Sequence, residues 1–191
     1  MKADKDHTHN FAVASAILFV ALASCGPNQP RYREAAIDNR SVAGLQLGSD
    51  AFNDGQPIPA KFTCVGADRP PPLRWDEPPA GTKSFALVID DPDAPSGTFR
   101  HWGVFDIPVT ARSIGGDRRV GTEVTNDFGK LGYGGPCPPK GHGPHHYHFK
   151  LLALDVDRLG LSPGAKVIDV EHAARRHAIA QGEIVAIFER K

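Results

Sequence analysis

Glycine and proline recur along the whole chain and limit the length of every regular segment. The 191 residues include 20 glycines and 17 prolines. Proline removes a backbone hydrogen-bond donor and glycine favours turns, so long helices are disfavoured. The length is that of one domain, and the 40% of apolar residues are enough to build a core. We therefore expect a single, mainly β domain with many turns.

Short runs bounded by turn residues are predicted to be strands. They span residues 45–47, 61–63, 84–90, 101–107, 122–125, 148–154 and 183–189. The runs at 84–90 and 184–188 are apolar almost throughout, which is typical of strands buried on both faces. We expect these two strands to lie centrally in their sheet.

Helical periodicity is limited to the C-terminal region. Apolar positions between 169 and 180 share one helical face, and Gly182 is predicted to end that helix. A second, short helical turn is predicted after Asp155, through Leu159. The sequence shows no βαβ alternation and no internal repeat, which favours a two-sheet antiparallel sandwich or barrel.

The charge balance argues against a dedicated nucleic-acid binder. Lys and Arg number 22, Asp and Glu also number 22, and the formal net charge is zero. Neutralising phosphates along a duplex needs a basic patch, and none is evident in the sequence. No nucleic-acid partner is expected.

Residues 1–24 are predicted to be a secretory signal. Polar residues precede an apolar run at 11–24, which is shorter than the ~20 residues of a membrane span. The run ends in Leu22-Ala23-Ser24-Cys25, which resembles the lipobox of bacterial lipoproteins, where the cysteine becomes lipid-modified. This predicts lipidation at Cys25, a tether over 25–43, a domain over 44–191 and a membrane-anchored envelope protein facing the periplasm or exterior. An ordinary signal peptide and an uncleaved anchor are the alternatives.

Export also determines how Cys64 and Cys137 are interpreted. An oxidising compartment allows the two to pair once Cys25 carries lipid, and two buried free thiols are the alternative. No Cys/His spacing indicates structural zinc.

An acidic loop follows the predicted buried strand. Asp90, Asp91 and Asp93 lie there beside Pro92 and Pro95, which fix the loop's φ angles. An acidic turn with aspartate caps is the simpler interpretation. The alternative is a site held at the rim of the sheet.

Histidines and a tyrosine provide the other candidate groups. A hairpin returning from the acidic loop would bring His101 beside Asp91, and a neighbouring carboxylate favours the charged imidazole. Strand alternation also places His145 and Tyr147 together on one face of a later strand.

Four histidines within residues 142–148 raise the question of a transition-metal site. Alternation places His146 and His148 on one face, but no cysteine or other ligand completes a tetrahedral set. No metal site is predicted.

Together these segments resemble one family, the phosphatidylethanolamine-binding proteins, in their bacterial and archaeal Raf kinase inhibitor-like form. The resemblance covers the chain from about Leu45 to the C-terminus. Its motifs are Phe62-Thr63-Cys64-Val65-Gly66 with Pro70-Pro71-Pro72-Leu73-Arg74-Trp75, Asp91-Pro92-Asp93-Ala94-Pro95, His101-Trp102, and Gly135-Pro136-Cys137-Pro138-Pro139 with Gly143-Pro144-His145-His146-Tyr147. His142 and His148 are not recognised features of this family.

The resemblance implies a β-sandwich of two antiparallel sheets with small peripheral helices and a shallow anion pocket at one end. The implied ligand-binding residues are Asp91, His101, Pro139, His145 and Tyr147, supported by Asp93, Pro95 and Trp102. In an exported member it also favours a disulfide between Cys64 and Cys137. Bacterial members often pair, which implies a homodimer, and no cofactor is implied.

We expect a non-enzymatic binding module for a phosphate-bearing ligand such as a phospholipid head group, with regulation of a partner protein as a further role. His101, His145 and Tyr147 would donate hydrogen bonds, and Asp91 predicts binding that strengthens as the pH falls toward ~6. One alternative is a hydrolase in which Asp91 and His101 act on an ester or phosphodiester, although no positioned nucleophile is evident. Another is an inhibitor of an envelope protease.

Overall fold

The computed structural model describes residues 43–191. The strands are β1 Ala43–Gly44, β2 Leu47–Ser49, β3 Gln56–Pro57, β4 Leu73–Trp75, β5 Ser84–Asp91, β6 Phe99–Pro108, β7 Ser113–Ile114, β8 Thr122–Glu123, β9 His145–Leu154 and β10 Ala178–Phe188. The helices are a 3-10 turn at Ala60–Phe62 and α1 at Val167–His177. The predicted signal peptide, Cys25 and the tether up to residue 42 lie outside the described residues.

The strands form two sheets. The larger has the order β1, β10, β9, β5, β6, β8, with β3 also beside β10, and the smaller has the order β2, β4, β7. All pairs are antiparallel except those of β1 and β3 with β10. The larger sheet ends at β1 and β8 without closing, which confirms the sandwich and excludes a closed barrel.

The two faces of the larger sheet are both covered. On β5, Phe85, Leu87 and Ile89 join the core that the two sheets share, whereas Ala86 and Val88 pack in the cluster beneath α1. Burial on both faces is why this strand is apolar at every position from Phe85 to Ile89 rather than at alternate ones. The central placement predicted for β5 and β10 is confirmed, because each has strands on both sides.

The strand predicted at 61–63 is wrong. Ala60–Phe62 form a 3-10 turn, in which the N–H of Phe62 donates to the carbonyl of Pro59 and that of Thr63 donates to Ala60. These local bonds satisfy the backbone donors that a neighbouring strand would otherwise need to pair.

The predicted C-terminal helix is present but ends earlier. α1 ends at His177, and residues 178–180 already belong to β10, so that Gly182 lies inside a strand. A Cβ atom at Gly182 would lie 2.3 Å from the carbonyl oxygen of Leu45. The glycine is therefore required by a close backbone approach, not by a helix end.

Other predicted boundaries also move. Of the run at 45–47 only Leu47 lies in a strand, β2, the run at 122–125 shortens to β8, and β9 begins three residues before the predicted 148. The helical turn predicted through Leu159 is not formed, and its N–H instead donates to Asp106 Oδ1 at 2.8 Å. No helix among residues 43–191 is long and apolar enough to cross a membrane.

Candidate ligand-binding pocket

A pocket opens at one end of the larger sheet, where β5 ends and its two neighbours, β6 and β9, begin. Its volume is about 180 Å³. Its walls are formed by Asp91, Ala94, Pro95, Phe99, His101, Phe128, Cys137, Pro138, Pro139 and His145. Three chain segments that are distant in sequence thus meet around a small, mostly apolar space with ionisable groups at its base.

An irregularity in β6 aims His101 at this pocket. Asp90 pairs with Arg100, but the next residue back on β5, Ile89, pairs with Trp102, so His101 is an extra residue in its strand. Arg100 bonds to α1 on the opposite face of the sheet, at 2.9 Å from Glu171. A β-bulge of this kind re-aims a side chain next to a binding site.

Asp91 and His145 form a buried pair at the base of the pocket. Asp91 Oδ2 lies 2.7 Å from His145 Nδ1, and the two side chains are only 4% and 2% exposed. Because the carboxylate is an acceptor, His145 carries its proton on Nδ1. The sequence predicted His101 as the neighbour of Asp91, whereas the imidazole that Asp91 binds is that of His145.

The other ring nitrogen of His145 is also occupied. His142 Nδ1 lies 2.8 Å from His145 Nε2, so the exposed His142 caps the buried pair from outside. His145 therefore has no free N–H to offer a ligand while this contact persists. The cap is a residue that the sequence analysis left without a role.

His101 keeps one ring nitrogen uncommitted. Its Nδ1 lies 2.8 Å from the carbonyl oxygen of Gly134, which fixes the proton on Nδ1, and no group within residues 43–191 bonds to Nε2. Burial lowers the pKa of His101 and outweighs the opposing effects of the Gly134 carbonyl and of the nearby Asp91 and Asp127 charges. The ring is thus neutral at pH 7, with a lone pair on Nε2.

Tyr147 lies behind the histidines and does not line the pocket. Its ring centroid is 5.2 Å from that of His101 and 6.4 Å from that of His145. Its hydroxyl is buried without a hydrogen-bond partner among the described residues. Burial and the Asp91 charge raise its pKa. The structure therefore places Tyr147 beneath the pocket wall, and its role as a ligand donor stays a prediction.

Of the three predicted supporting residues, Pro95 lines the pocket, Asp93 binds a neighbouring strand, and Trp102 lies away from the pocket. Pro95 is part of the pocket wall. Asp93 Oδ2 accepts from both the backbone and the ring of His146, which lowers its pKa and ties the acidic loop to β9. Trp102 is buried in the core and donates to Glu123 Oε1 at 2.9 Å, away from the pocket.

The loop that forms one wall is fastened to the segment at 60–68. Cys64 and Cys137 are joined by a disulfide with a Cα–Cα distance of 5.4 Å. Asp68 Oδ1 accepts from the N–H of Gly135 at 2.7 Å. A Cβ atom at Gly135 would lie 2.4 Å from the carbonyl oxygen of Phe62, so only glycine permits this close approach.

Two aromatic residues that the sequence analysis missed form the opposite wall. Phe99 and Phe128 meet edge to face with ring centroids 4.6 Å apart, and both rings also contact His101. The loop that carries Phe128 is organised by Asn126, whose Oδ1 accepts two N–H groups while its Nδ2 donates to two carbonyls. No motif marks either residue, because their proximity depends on the loop's path.

The outward-facing histidines of β9 pair with carboxylates. His146 lies 2.7 Å from Asp93, and His148 lies 2.5 Å from Glu183. The prediction that His145 and Tyr147 share one face of this strand, and His146 and His148 the other, matches the burial of β9. Residues 43–191 contain no group of three or more side chains suited to holding a metal ion.

Comparisons with known proteins give one result. The family model described as phosphatidylethanolamine-binding protein matches residues 48–189. A UPF0098 protein of Aquifex aeolicus is 47% identical over 152 residues, which is 76% of this chain and 89% of that protein. The crystal structure of YbcL from Escherichia coli, described as a member of the mammalian PEBP family, covers 78% of this chain and 100% of its own, with a TM-score of 0.73 and 34% identity.

A further relative extends into the N-terminal region. The Mycobacterium tuberculosis protein named "Putative lipoprotein LppC" is 40% identical over 197 aligned residues, covering 96% of this chain and 97% of that protein. The open two-sheet sandwich agrees with the fold of these relatives. The chain is a member of the phosphatidylethanolamine-binding protein family.

Proposed function

We propose that this protein is a non-enzymatic binding module whose pocket holds the phosphate of a small ligand, such as a phospholipid head group. The observation that carries the proposal is the uncommitted Nε2 of His101, whose ring lines a small apolar pocket beside the buried Asp91–His145 pair. The family name and the fold support a binding role.

Anion binding at His101 requires a proton. Its Nδ1 already donates to Gly134, so Nε2 can donate to a phosphate oxygen only when the ring is protonated. Burial lowers the pKa of the free ring, and a bound anion would raise it by stabilising the charged form. Binding should therefore take up one proton at neutral pH.

Asp91 would distinguish between types of phosphate ligand. Its carboxylate repels an anion but attracts an ammonium group, and it lies in the same wall as His101. A zwitterionic head group such as phosphoethanolamine offers both charges at once. We therefore expect phosphoethanolamine to bind more tightly than inorganic phosphate, and an Asp91→Asn variant to lose that difference. Equal affinities in the unchanged protein would contradict this assignment.

The strongest consequence of the proton requirement is a pH-dependent affinity. Sulfate is the best probe, because it keeps the same charge between pH 6 and 8, whereas phosphate does not. Since burial lowers the pKa of the free His101 below its usual value, the dissociation constant for sulfate should fall by up to tenfold for each pH unit on going from pH 8 toward pH 6, for as long as the free ring is neutral. Calorimetric titration measures this directly.

His101→Asn is the matched control for that titration. Asparagine places an N–H near the position of Nδ1, so that it can still donate to Gly134, but it has no equivalent of Nε2. The variant should bind sulfate weakly, without pH dependence. An unchanged sulfate affinity between pH 5.5 and 8 in the unmodified protein would contradict the proposal.

The hydrolase alternative gains little from the geometry. A carboxylate–imidazole pair is present, but the Nε2 of its imidazole, His145, is occupied by His142. The one cysteine of the pocket wall, Cys137, is held in a disulfide. No serine or threonine is among the residues that line the pocket. Nothing in the site offers a nucleophile placed beside a base.

We infer an envelope lipoprotein from the Leu22-Ala23-Ser24-Cys25 sequence and from the similarity to LppC over most of the chain. Expressed in a bacterium with metabolically labelled fatty acid, the protein should carry label and sediment with membranes. Cys25→Ala should abolish labelling, while Cys64→Ala should not. Labelling that survives Cys25→Ala would contradict the inference.

A further inference from the structure

We propose that the Cys64–Cys137 disulfide is a redox-labile lock on the pocket, which an external dithiol opens by attack on Cys64. Control of the pocket rests on the proposed binding function, whereas lability of the disulfide does not. Three features support the proposal: the position of Cys137 in the pocket wall, the positive charge beside its sulfur, and the exposed residues that follow Cys64.

The disulfide belongs to the pocket itself. Cys137 forms part of the wall, next to Pro138 and Pro139. The same loop supplies the carbonyl of Gly134 that fixes the His101 tautomer at 2.8 Å. A change in this loop would therefore alter both the shape of the pocket wall and the position of His101, the residue that would donate to an anion.

A guanidinium lies beside the sulfur of Cys137. Arg190 Nη1 is 3.7 Å from Cys137 Sγ, and Arg190 Nε is buried without a hydrogen-bond partner among the described residues. Within residues 43–191 no carboxylate forms an ion pair with Arg190, and the carbonyl of Arg190 accepts from Gly141 of the same loop. A neighbouring cation of this kind stabilises a thiolate and makes it a better leaving group.

Cys64 is the sulfur that we expect a thiolate to attack. Both cysteines are only partly buried, and Cys64 is followed by exposed residues, of which Val65 is 53% exposed. An incoming thiolate prefers the sulfur whose partner leaves more easily. The stability of the leaving thiolate thus directs the attack to Cys64, with Cys137 leaving, and the exposed residues that follow Cys64 give the dithiol room to approach.

The thiol–disulfide exchange proceeds in two steps. The thiolate of the dithiol bonds to Cys64 Sγ, the bond between Cys64 and Cys137 breaks, and its electron pair leaves on Cys137, which stays a thiolate beside Arg190. The second thiol loses its proton and attacks the dithiol's own bonded sulfur, which releases Cys64 to take up a proton. The dithiol is oxidised to a disulfide, and the protein gains two electrons.

The rest of the structure retains the loop near its place after reduction. Asp68 still accepts from Gly135, the hydroxyl of Tyr133 donates to the carbonyl of Phe62 at 2.7 Å, and the N–H of Cys64 donates to Pro136. We therefore expect a folded reduced protein whose pocket wall is looser. A looser wall costs ordering free energy on binding and lowers the affinity for an anion.

The first arm of the test measures the disulfide alone. Reduction of the full chain by dithiothreitol is followed by mass spectrometry after alkylation. Arg190→Gln should slow reduction about fivefold and shift the pH profile of Cys137 alkylation upward by about one pH unit. Arg190→Lys, which keeps the charge, should restore most of the rate, and Arg176→Gln on the exposed side of α1 should have no effect. Equal rates in all variants would overturn the proposal.

The second arm measures sulfate affinity at pH 6 in both redox states, with circular dichroism to monitor the fold. The reduced protein should bind at least fivefold more weakly while its near-ultraviolet spectrum stays native-like. Equal affinities, or unfolding on reduction, would overturn control of the pocket. If the oxidised protein binds no sulfate, the proposed function itself fails, and the reduction rates still decide whether the disulfide is labile.

Discussion

Replacing both disulfide cysteines by serine, Cys64→Ser with Cys137→Ser, should lower the free energy of unfolding by about 4 kcal/mol. The bond closes a segment with a sequence separation of 73 residues, and freeing a loop of that length gives the unfolded chain much more conformational entropy. Because a domain of this size is stabilised by about 5–15 kcal/mol, the variant should remain folded but much less stable.

Urea denaturation of the oxidised protein and the double variant measures this difference. The unmodified protein denatured in the presence of dithiothreitol is the matched control, and it should show the same loss. A loss below about 1.5 kcal/mol would indicate that the contacts of the loop at 133–139, rather than the covalent bond, determine the stability.

Asp91→Ala should have the second-largest effect, a loss of about 3 kcal/mol together with the loss of ligand binding. The carboxylate binds His145 Nδ1 at 2.7 Å and accepts from the N–H of Asp93 at 2.9 Å. Removing the carboxylate leaves the buried Nδ1–H of His145 without a partner. It also removes the acceptor for the Asp93 N–H at the start of the acidic loop.

Asp93→Ala is the control for this substitution. Asp93 makes a similar contact with His146, also at 2.7 Å, but the two side chains are 42% and 48% exposed. An exposed pair contributes little, so the loss should be about 1 kcal/mol or less. Similar losses for the two variants in urea denaturation at pH 7 would contradict the role assigned to burial at Asp91.

The periodic parts of the fold could be predicted from the sequence. The continuous apolar run of β5 and the alternation of β9 both follow from which faces are buried, and the structure confirms them. The end of α1 could not be read in this way. Gly182 has the usual appearance of a helix stop, but it is glycine because the backbone of Leu45 lies against it.

The residues of the candidate site were predictable in part, and their contacts were not. The motifs bring Asp91, His101 and His145 to one pocket, as the family resemblance implies. The partners of each ring depend on details that no spacing encodes. One extra residue in β6 turns His101 toward Gly134, and a turn at Gly141 and Gly143 lets His142 reach His145.

The central claim is that an anion binds at His101 with uptake of a proton on Nε2. Nitrogen-15 spectra of the histidine side chains test it most directly, recorded at pH 7 with and without saturating phosphoethanolamine. We expect the signal of His101 Nε2 to move from the unprotonated to the protonated range, while the signals of His146 and His148 stay unchanged. Binding that leaves the His101 signals unmoved, or the absence of any binding, would contradict it.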